Sequence, residues 1–196
     1  MVERPILFSG PMVRAILEGK KTATRRIVKR QGDMEFDPAD PHFGPYWLSY
    51  VTDADGEAAR VRCPYGSPGD RLWVREGHAL DGSQVFYRAG HAEAQSSGPR
   101  VDIRWRPSIF MPRRASRITL EITGVRVERL QQISEADAMA EGCPLINPDP
   151  FIPGHGGSSA SGWYSQLWED INGAGSWDAN PWVWVVEFRA LERGDA

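Results

Sequence analysis

Short apolar or alternating patterns of polar and apolar residues mark four separated segments of the chain, and both patterns are typical of β-strands. These segments are residues 5–8, 70–76, 118–128 and 182–190. Gly124 interrupts the third segment and predicts a bulge or bend at that point. The last segment is apolar at nearly every position between Trp182 and Phe188, which predicts burial on both of its faces. We expect all four strands to lie in one curved sheet or barrel.

Helical spacing of apolar residues marks three further segments. They cover residues 11–18, 134–141 and 161–172. The second helix begins with the capping-box pattern Ser134-Glu135-Ala136-Asp137 and ends before Gly142. In the third helix, Trp163, Leu167 and Ile171 recur at four-residue spacing, and we interpret them as its apolar face. Several strands interrupted by short helices predict an α+β, barrel-like domain.

The weakly periodic stretch 31–68 predicts an excursion from this domain. Within it, residues 47–51 and 58–61 have the pattern of a short hairpin. Residues 85–87 and 101–103 are candidates for a second hairpin or for further strands. A length of 196 residues favours a single domain that carries such additions.

Positive charge is concentrated in two stretches that contain no acidic residue. Residues 20–30 carry six basic side chains and residues 103–120 carry five arginines, although the chain as a whole has a net charge of −3. A solvated face is the usual explanation of one such run. Two runs on an acidic protein indicate a polyanionic partner, but the acidic remainder disfavours non-specific coating of DNA. We expect Arg25 and Arg26 to border one concave face with some arginines of the second stretch. Those arginines are Arg104, Arg106, Arg113, Arg114 and Arg117.

No apolar run approaches the roughly 20 residues that a membrane-spanning helix needs, and residues 1–8 lack the apolar core of a signal peptide. Cys63 and Cys143 are too few for a disulfide framework, and we expect them to stay reduced in the cytoplasm. The four histidines are scattered, without the close spacing of a zinc site, and no Walker A or dinucleotide-binding sequence occurs. We expect no metal, no cofactor and no membrane partner, and the sequence indicates no oligomeric state.

Glu141 stands at the end of the second predicted helix, where the helix macrodipole disfavours an acidic side chain by roughly 0.3–1 kcal/mol. Asp137 lies four residues earlier on the same face, and like charges at this spacing add a further penalty. Departures from local rules are common at functional sites, although a surface glutamate at a helix end is also common. A carboxylate in this position is suited to pair with a lysine or to hold an amine or a water molecule.

Four sequence motifs follow one another along the chain. They are Gly19-Lys20-Lys21-Thr22-Ala23-Thr24-Arg25, the strand Gly69-Asp70-Arg71-Leu72-Trp73-Val74-Arg75-Glu76, the strand and helix end between Ile118 and Gly142, and the closing strand 182–188. Together they resemble the motifs of the ASCH domain family, whose fold is a small β-barrel related to the PUA RNA-binding domain. The resemblance implies one α+β, PUA-like domain with flanking short helices over residues 1–192. In overall character the chain is similar to long family members encoded in phages and prophages.

Small bacterial members of that superfamily are amidohydrolases that remove the acyl group from N(4)-acetylcytidine. Carried over by motif, their catalytic lysine, threonine and glutamate correspond to Lys21, Thr24 and Glu141. The resemblance therefore implies a hydrolase acting on an N(4)-acylated cytosine nucleoside or a related modified base. Other members are RNA-binding modules or ribonucleases, so the alternative is a protein that holds RNA in the same basic cleft. Insertions at about 31–68, 77–106 and 143–160 distinguish this chain from the small enzymes and leave the substrate open.

In such a hydrolase we expect Lys21 to act as the base, because burial and neighbouring cations favour its neutral form. Thr24 is then the nucleophile or positions a nucleophilic water, and Glu141 orients Lys21 or carries a proton to the leaving amine. The predicted substrate- or nucleic-acid-binding residues are Lys20, Arg25, Arg26, Trp73 and Arg75. For Trp73, packing in the core is the better interpretation. The alternative for Lys21 and Glu141 is a structural ion pair between the turn and the helix.

Overall fold

The computed structural model describes residues 1–29, 31, 47–52, 58–82, 84–90, 104–144 and 159–191. The strands in these ranges are β1 (Glu3–Leu7), β2 (Ala23–Ile27), β3 (Trp47–Thr52), β4 (Ala58–Arg62), β5 (Arg71–Arg75), β6 (His78–Asp81), β7 (Gln84–Tyr87), β8 (Thr119–Arg129) and β9 (Trp182–Ala190). The helices are α1 (Gly10–Leu17), α2 (Glu135–Ala140) and α3 (Ala160–Asn172). Short 3-10 turns lie at Ser108–Phe110, Arg113–Ala115 and Leu130–Gln132.

The main element of the fold is a five-stranded sheet with the strand order β1-β5-β8-β9-β2. β1 runs parallel to β5, and the other neighbouring strands are antiparallel. The prediction that the four patterned segments share one sheet is confirmed, as is the α+β class. The register between β8 and β9 shifts between Ile122 and Gly124, which is the bulge predicted from the glycine.

β1 and β2 are the outer strands of this sheet, and no backbone ladder joins them within the described ranges. The closed β-barrel that we expected is therefore not formed by these strands. Helix α1 connects β1 to β2, and Arg26 in β2 donates from Nη2 to the main-chain oxygen of Leu7 in β1 at 2.7 Å. A side-chain hydrogen bond thus links the two edges where a closed barrel would have a ladder of backbone hydrogen bonds.

β9 separates two hydrophobic clusters, as its continuous apolar sequence predicted. Trp184, Val186 and Phe188 pack in the cluster that also contains the apolar residues of β1, α1 and β5. Val183 and Val185 point to the opposite cluster, which contains the buried side chains of α2 and α3. Both faces of the strand are therefore covered, and the α2–α3 pair is fixed to the sheet by apolar packing.

The buried face of α3 differs from the one that we predicted. Tyr164 and Trp168 are buried in the second cluster, whereas Trp163 and Leu167 are only partly buried and Ile171 is 58% exposed. Helix α3 therefore carries two apolar stripes: Tyr164 and Trp168 form one, and Trp163, Leu167 and Ile171 form the other, one residue earlier along the helix. Four-residue spacing occurs in both stripes, so the spacing alone does not identify the stripe that faces the core.

Two hairpins lie outside the main sheet. β3 pairs with β4 as predicted, while β7 pairs with β6. The expected partner of β7, residues 101–103, lies outside the described residues. Large parts of the expected insertions also lie outside the described residues, namely 32–46, 53–57, 91–103 and 145–158. Cys63 and Cys143 are buried and form no disulfide bond. No helix in the described ranges is both long and apolar enough to span a membrane.

Candidate functional site

The structure brings Lys21 and Glu141 into direct contact, although 120 residues separate them in the chain. Lys21 follows the end of α1, where its backbone N–H donates to the oxygen of Ala15 at 3.0 Å. Its Nζ donates to the Glu141 carboxylate at 2.5 Å and to the main-chain oxygen of Glu141 at 2.8 Å. An isolated antiparallel bridge joins the backbones of the two residues. The turn after α1 and the end of α2 therefore hold the pair from both sides.

Gly142 permits this close approach of α2 to the turn. Its φ of +93° lies in the left-handed region, and a Cβ built on it would stand 3.1 Å from the Cβ of Ala15 and 3.2 Å from the Cβ of Lys21. Any larger residue would be strained there and would push Lys21 away. Glycine at this position thus ends α2 and makes room for the lysine.

Both side chains of this pair are buried, and burial affects the pKa of Lys21. The Lys21 side chain is fully buried and that of Glu141 is 3% exposed. Burial lowers the pKa of Lys21, the Glu141 carboxylate opposes this change, and the cations Arg26 and Arg25 add to the lowering. Lys21 is therefore easier to deprotonate than an ordinary lysine, as the hypothesis of a lysine base requires.

Tyr164 of α3 contacts the other oxygen of Glu141. Its hydroxyl donates to Oε1 of Glu141 at 3.3 Å. Burial raises the pKa of Tyr164 well above its usual range, and the negative charge of Glu141 raises it further. The hydroxyl therefore keeps its proton. The start of α3 is anchored on α2, because the Glu135 carboxylate accepts from the backbone N–H of Ala160 at 2.7 Å. Both ends of α2 are therefore tied to α3.

Arg25, one of the predicted substrate- or nucleic-acid-binding residues, does not face solvent. Its fully buried side chain donates from Nε and Nη2 to Glu128 of β8 at 3.1 and 2.6 Å. Nη2 also lies 3.4 Å from Asp137, and Nη1 lies 3.5 Å from Oε1 of Glu141. Acids that are distant in sequence converge on Arg25, so its charge is compensated inside the protein.

Thr24 is buried in β2 and lines a small cavity of about 80 Å³. Glu141 and Tyr164 line the same cavity, together with Arg25 and Trp168. The predicted threonine and glutamate thus line the same small cavity. Lys21 does not line this cavity. Its buried amine contacts the Glu141 carboxylate and lies 5.7 Å from the centre of the Phe8 ring.

A second, larger cavity of about 610 Å³ adjoins the small one. Glu141 and Arg26 border both cavities. The walls of the large cavity come from the end of β1, from α1, and from the outer stripe of α3, which consists of Trp163, Leu167 and Ile171. The apolar residues that sequence reasoning assigned to the buried face of α3 therefore line a cavity.

The other predicted binding residues divide into two groups. Lys20 and Arg26 line the large cavity, and Lys20 also pairs with Glu18 at 2.7 Å. Trp73 is buried in β5, and the Arg75 guanidinium lies 4.6 Å from the centre of its ring. Neither Trp73 nor Arg75 lines either cavity, so the structure does not bring them together with Lys20 and Arg26. Trp73 instead packs against Arg75 of its own strand.

Within the described residues, no arginine of the second basic stretch lines either of the cavities that Arg26 borders. Arg113 pairs with Glu3 and Arg117 pairs with Glu76, at 2.6 and 2.8 Å respectively. Of the residues 104–117, only Ser108 lines the large cavity in the described part of the chain. Acids from distant segments therefore neutralise Arg113 and Arg117, which a count along the sequence does not reveal.

Sequence reasoning missed Tyr164 and Trp168, which complete the small cavity. Their four-residue spacing within α3 was a usable signal, but the neighbouring stripe has the same spacing. Among the described residues, no group of three or more His, Cys, Asp or Glu side chains is placed to hold a metal ion.

The chain was compared with known proteins and solved structures. No protein-family model matches it, and no curated protein matches it in sequence. Among solved structures, it is similar to the high-resolution crystal structure of an ASCH domain from Lactobacillus crispatus JV V101. The identity is 13%, the TM-score is 0.43, and the match covers 96% of this chain and 79% of that chain. Likeness at this level does not extend to activity or substrate.

Proposed function

We propose that this protein is an amidohydrolase that removes an acyl group from an N(4)-acylated cytosine nucleoside or a related modified base. The observation that carries the proposal is the buried Lys21–Glu141 pair, whose carboxylate lies on a wall shared by two cavities. The larger cavity, about 610 Å³, falls within the range of roughly 300–1,000 Å³ that is usual for small-molecule sites. A buried lysine with a lowered pKa is a common feature of catalytic sites.

The geometry favours a division of roles between Lys21 and Glu141. Glu141 borders both cavities and is the group that meets the substrate, whereas Lys21 contacts Glu141 from behind. Lys21 then controls the charge and basicity of the Glu141 carboxylate, and a proton moves between the two groups across their hydrogen bond. Thr24 lies in the small cavity with Glu141 and supplies a hydroxyl as nucleophile or as a ligand for the attacking water.

The reaction adds an oxygen nucleophile to the carbonyl carbon of the substrate and then breaks the C–N bond. The nucleophile loses its proton to the Glu141–Lys21 pair, and the same pair returns a proton to the departing cytosine nitrogen. With water as the nucleophile, the products are a carboxylic acid and the free amine of cytosine. With Thr24 as the nucleophile, an ester forms first and a water molecule then releases the acid.

Binding of RNA is the second candidate function, and the cations around the large cavity support it. Arg14, Lys20 and Arg26 line this cavity. Glu18 and Glu141 line it as well and offset part of that charge, which disfavours a site built for phosphates alone. The mixture of charges and the apolar wall fit a nucleoside better than a long polyanion.

The proposal is tested by incubating the protein with N(4)-acetylcytidine and following the release of acetate and cytidine. Glu141→Gln should abolish turnover because the amide cannot take a proton as the carboxylate does. Glu76→Gln is the matched control, since Glu76 is equally buried and is paired with Arg117 away from both cavities. It should lower stability but leave hydrolysis by the folded protein intact.

A binder of RNA should behave differently in the same experiment. It should retain or increase its affinity for an RNA oligomer in Glu141→Gln, because a negative charge has been removed from the site. Absence of hydrolysis in the parent protein, combined with this RNA binding, would exclude the hydrolase and favour the second candidate. Cleavage of the oligomer would instead identify a ribonuclease.

A further inference from the structure

Five of the described residues border both cavities and so surround the junction between them. Met12, Leu167 and Ile171 are apolar, whereas Arg26 and Glu141 carry charge. Among the described residues, Arg26 is thus the one cation at the junction. A substrate that spans the junction and presents its reacting bond to Glu141 meets this cation at the same place.

Two other cations lie close to Glu141, but neither is placed to meet a substrate. Lys21 is fully buried and lines neither cavity. Arg25 lines the small cavity, yet its side chain has no exposed surface and donates twice to Glu128. Arg26 is only half-buried, and no acidic side chain in the described part of the chain pairs with it. Its charge is therefore available to a substrate.

The guanidinium of Arg26 is held in place beside the junction. β2 pairs with β9, where Arg26 lies opposite Trp184. Nη2 donates to the main-chain oxygen of Leu7 at 2.7 Å, and the guanidinium carbon lies 5.3 Å from the centre of the Phe8 ring. A cation close to an aromatic face is attracted to it. A positive group fixed in this way stabilises a developing negative charge without first having to reorganise.

We infer that Arg26 is a further catalytic residue of the proposed hydrolase, and that its guanidinium contacts the carbonyl oxygen of the scissile amide. The inference rests on the proposed function and adds to it the group that stabilises negative charge. When the oxygen nucleophile adds to the carbonyl carbon, the π electron pair moves onto the carbonyl oxygen beside Arg26. When the C–N bond breaks, this pair re-forms the carbonyl, and the nitrogen leaves with the bonding electrons and takes a proton from the Glu141–Lys21 pair. Arg26 exchanges no proton, because a guanidinium stays charged in proteins.

The test measures kcat and KM for N(4)-acetylcytidine in the parent protein, in Arg26→Gln and in Arg26→Lys. Glutamine keeps a side-chain donor for the oxygen of Leu7 but carries no charge. The kcat of Arg26→Gln should fall about 100-fold with little change in KM, because the lost interaction is strongest in the transition state. Arg26→Lys keeps a cation and should recover part of this loss. A raised KM with unchanged kcat in Arg26→Gln would show that Arg26 only binds the substrate and would overturn the catalytic role.

Arg129→Gln is the matched control for Arg26→Gln. Arg129 makes the same two kinds of contact, because its guanidinium carbon lies 4.2 Å from the centre of the Trp182 ring and its Nη1 donates to the main-chain oxygen of Asn180 at 3.3 Å. It lines neither cavity. The kcat of Arg129→Gln should therefore stay at the value of the parent. An equal fall of kcat in both variants would indicate a general effect of lost positive charge and would overturn the role of Arg26.

Calorimetric titration with N(4)-acetylcytidine and with cytidine distinguishes failure of this inference from failure of the proposed function. If the parent hydrolyses the acetyl compound and Arg26→Gln does so equally fast, the role of Arg26 is overturned and the hydrolase remains. If the parent does not hydrolyse it, the hydrolase is overturned, and the titration decides whether Arg26 meets a carbonyl oxygen. A preference of the parent for the acetyl compound that is lost in Arg26→Gln would support this contact. No preference, or a preference that Arg26→Gln retains, would overturn the contact as well.

Discussion

The Nζ atom of Lys21 contacts both the carboxylate and the main-chain oxygen of Glu141, at 2.5 and 2.8 Å. The unpaired carbonyls at the end of a helix attract a cation, and an acid at the same place is normally disfavoured. A single buried amine satisfies both groups. The unfavourable position of Glu141 at the end of α2 is thereby compensated by a lysine from a distant turn.

Loss of this amine should destabilise the protein strongly. Lys21→Met would leave the buried Glu141 carboxylate with fewer compensating charges, and removal of one partner of a buried ion pair costs about 3–5 kcal/mol of the free energy of unfolding. Urea denaturation at neutral pH measures this loss. The double variant Lys21→Met with Glu141→Gln should recover part of it, since no buried negative charge remains. A double variant less stable than the single one would show that the amine acts through packing.

The lowered pKa of Lys21 predicts a pH dependence of stability with a definite sign. Between this lowered pKa and the ordinary value of 10.5, the unfolded chain binds more protons than the folded protein. The contribution of Lys21 to the free energy of unfolding therefore rises with pH through this window. It reaches its full value only above the pKa of lysine in the unfolded chain. Lys21→Met removes this rise, so the difference in stability between parent and variant should widen as the pH is raised. Groups that do not contact Lys21 titrate alike in both proteins and cancel in the difference, and a difference that does not change at alkaline pH would contradict the lowered pKa.

Four strands of the main sheet, β1, β5, β8 and β9, were predictable because burial of alternate residues has a period of two in a strand. The fifth strand, β2, lies in the basic stretch 20–30 and was not predicted. The contact between Lys21 and Glu141 was expected from the family resemblance and from the unfavourable position of the acid. The open sheet was not predictable, since a side-chain hydrogen bond from Arg26 links the edge strands β1 and β2 where a barrel would have a backbone ladder. The partners of Arg113 and Arg117 were also hidden, because they are single acids on other strands or strand ends. Local sequence patterns thus identified strands and helices. The ion pairs between side chains that are distant in sequence became visible only in the folded structure.

The hydroxyl of Tyr164 should affect catalysis more than stability. Tyr164→Phe keeps the buried ring and removes only the hydrogen bond to Oε1 of Glu141, which contributes about 1 kcal/mol to stability. Turnover of N(4)-acetylcytidine should fall, because the carboxylate loses one of the groups that orient it. Tyr87→Phe is the control, since its hydroxyl donates to the main-chain oxygen of Ala115 at 3.1 Å and lies on neither cavity. Equal loss of turnover in both variants would argue against a role of Tyr164 at the site.

The last prediction concerns Gly142 and separates backbone strain from crowding at the site. Gly142→Ala places a Cβ 3.1 Å from Ala15 and 3.2 Å from Lys21, in a residue whose φ is +93°. Gly173, with a φ of +96° at the end of α3, has open space around the same position. Gly173→Ala should therefore show strain alone, about 1–3 kcal/mol, whereas Gly142→Ala should add the crowding of Ala15 and Lys21 and should also lower hydrolysis because Lys21 is displaced from Glu141. Chemical denaturation of both variants measures the difference. Equal destabilisation with full activity in Gly142→Ala would mean that the turn shifts without disturbing the Lys21–Glu141 contact.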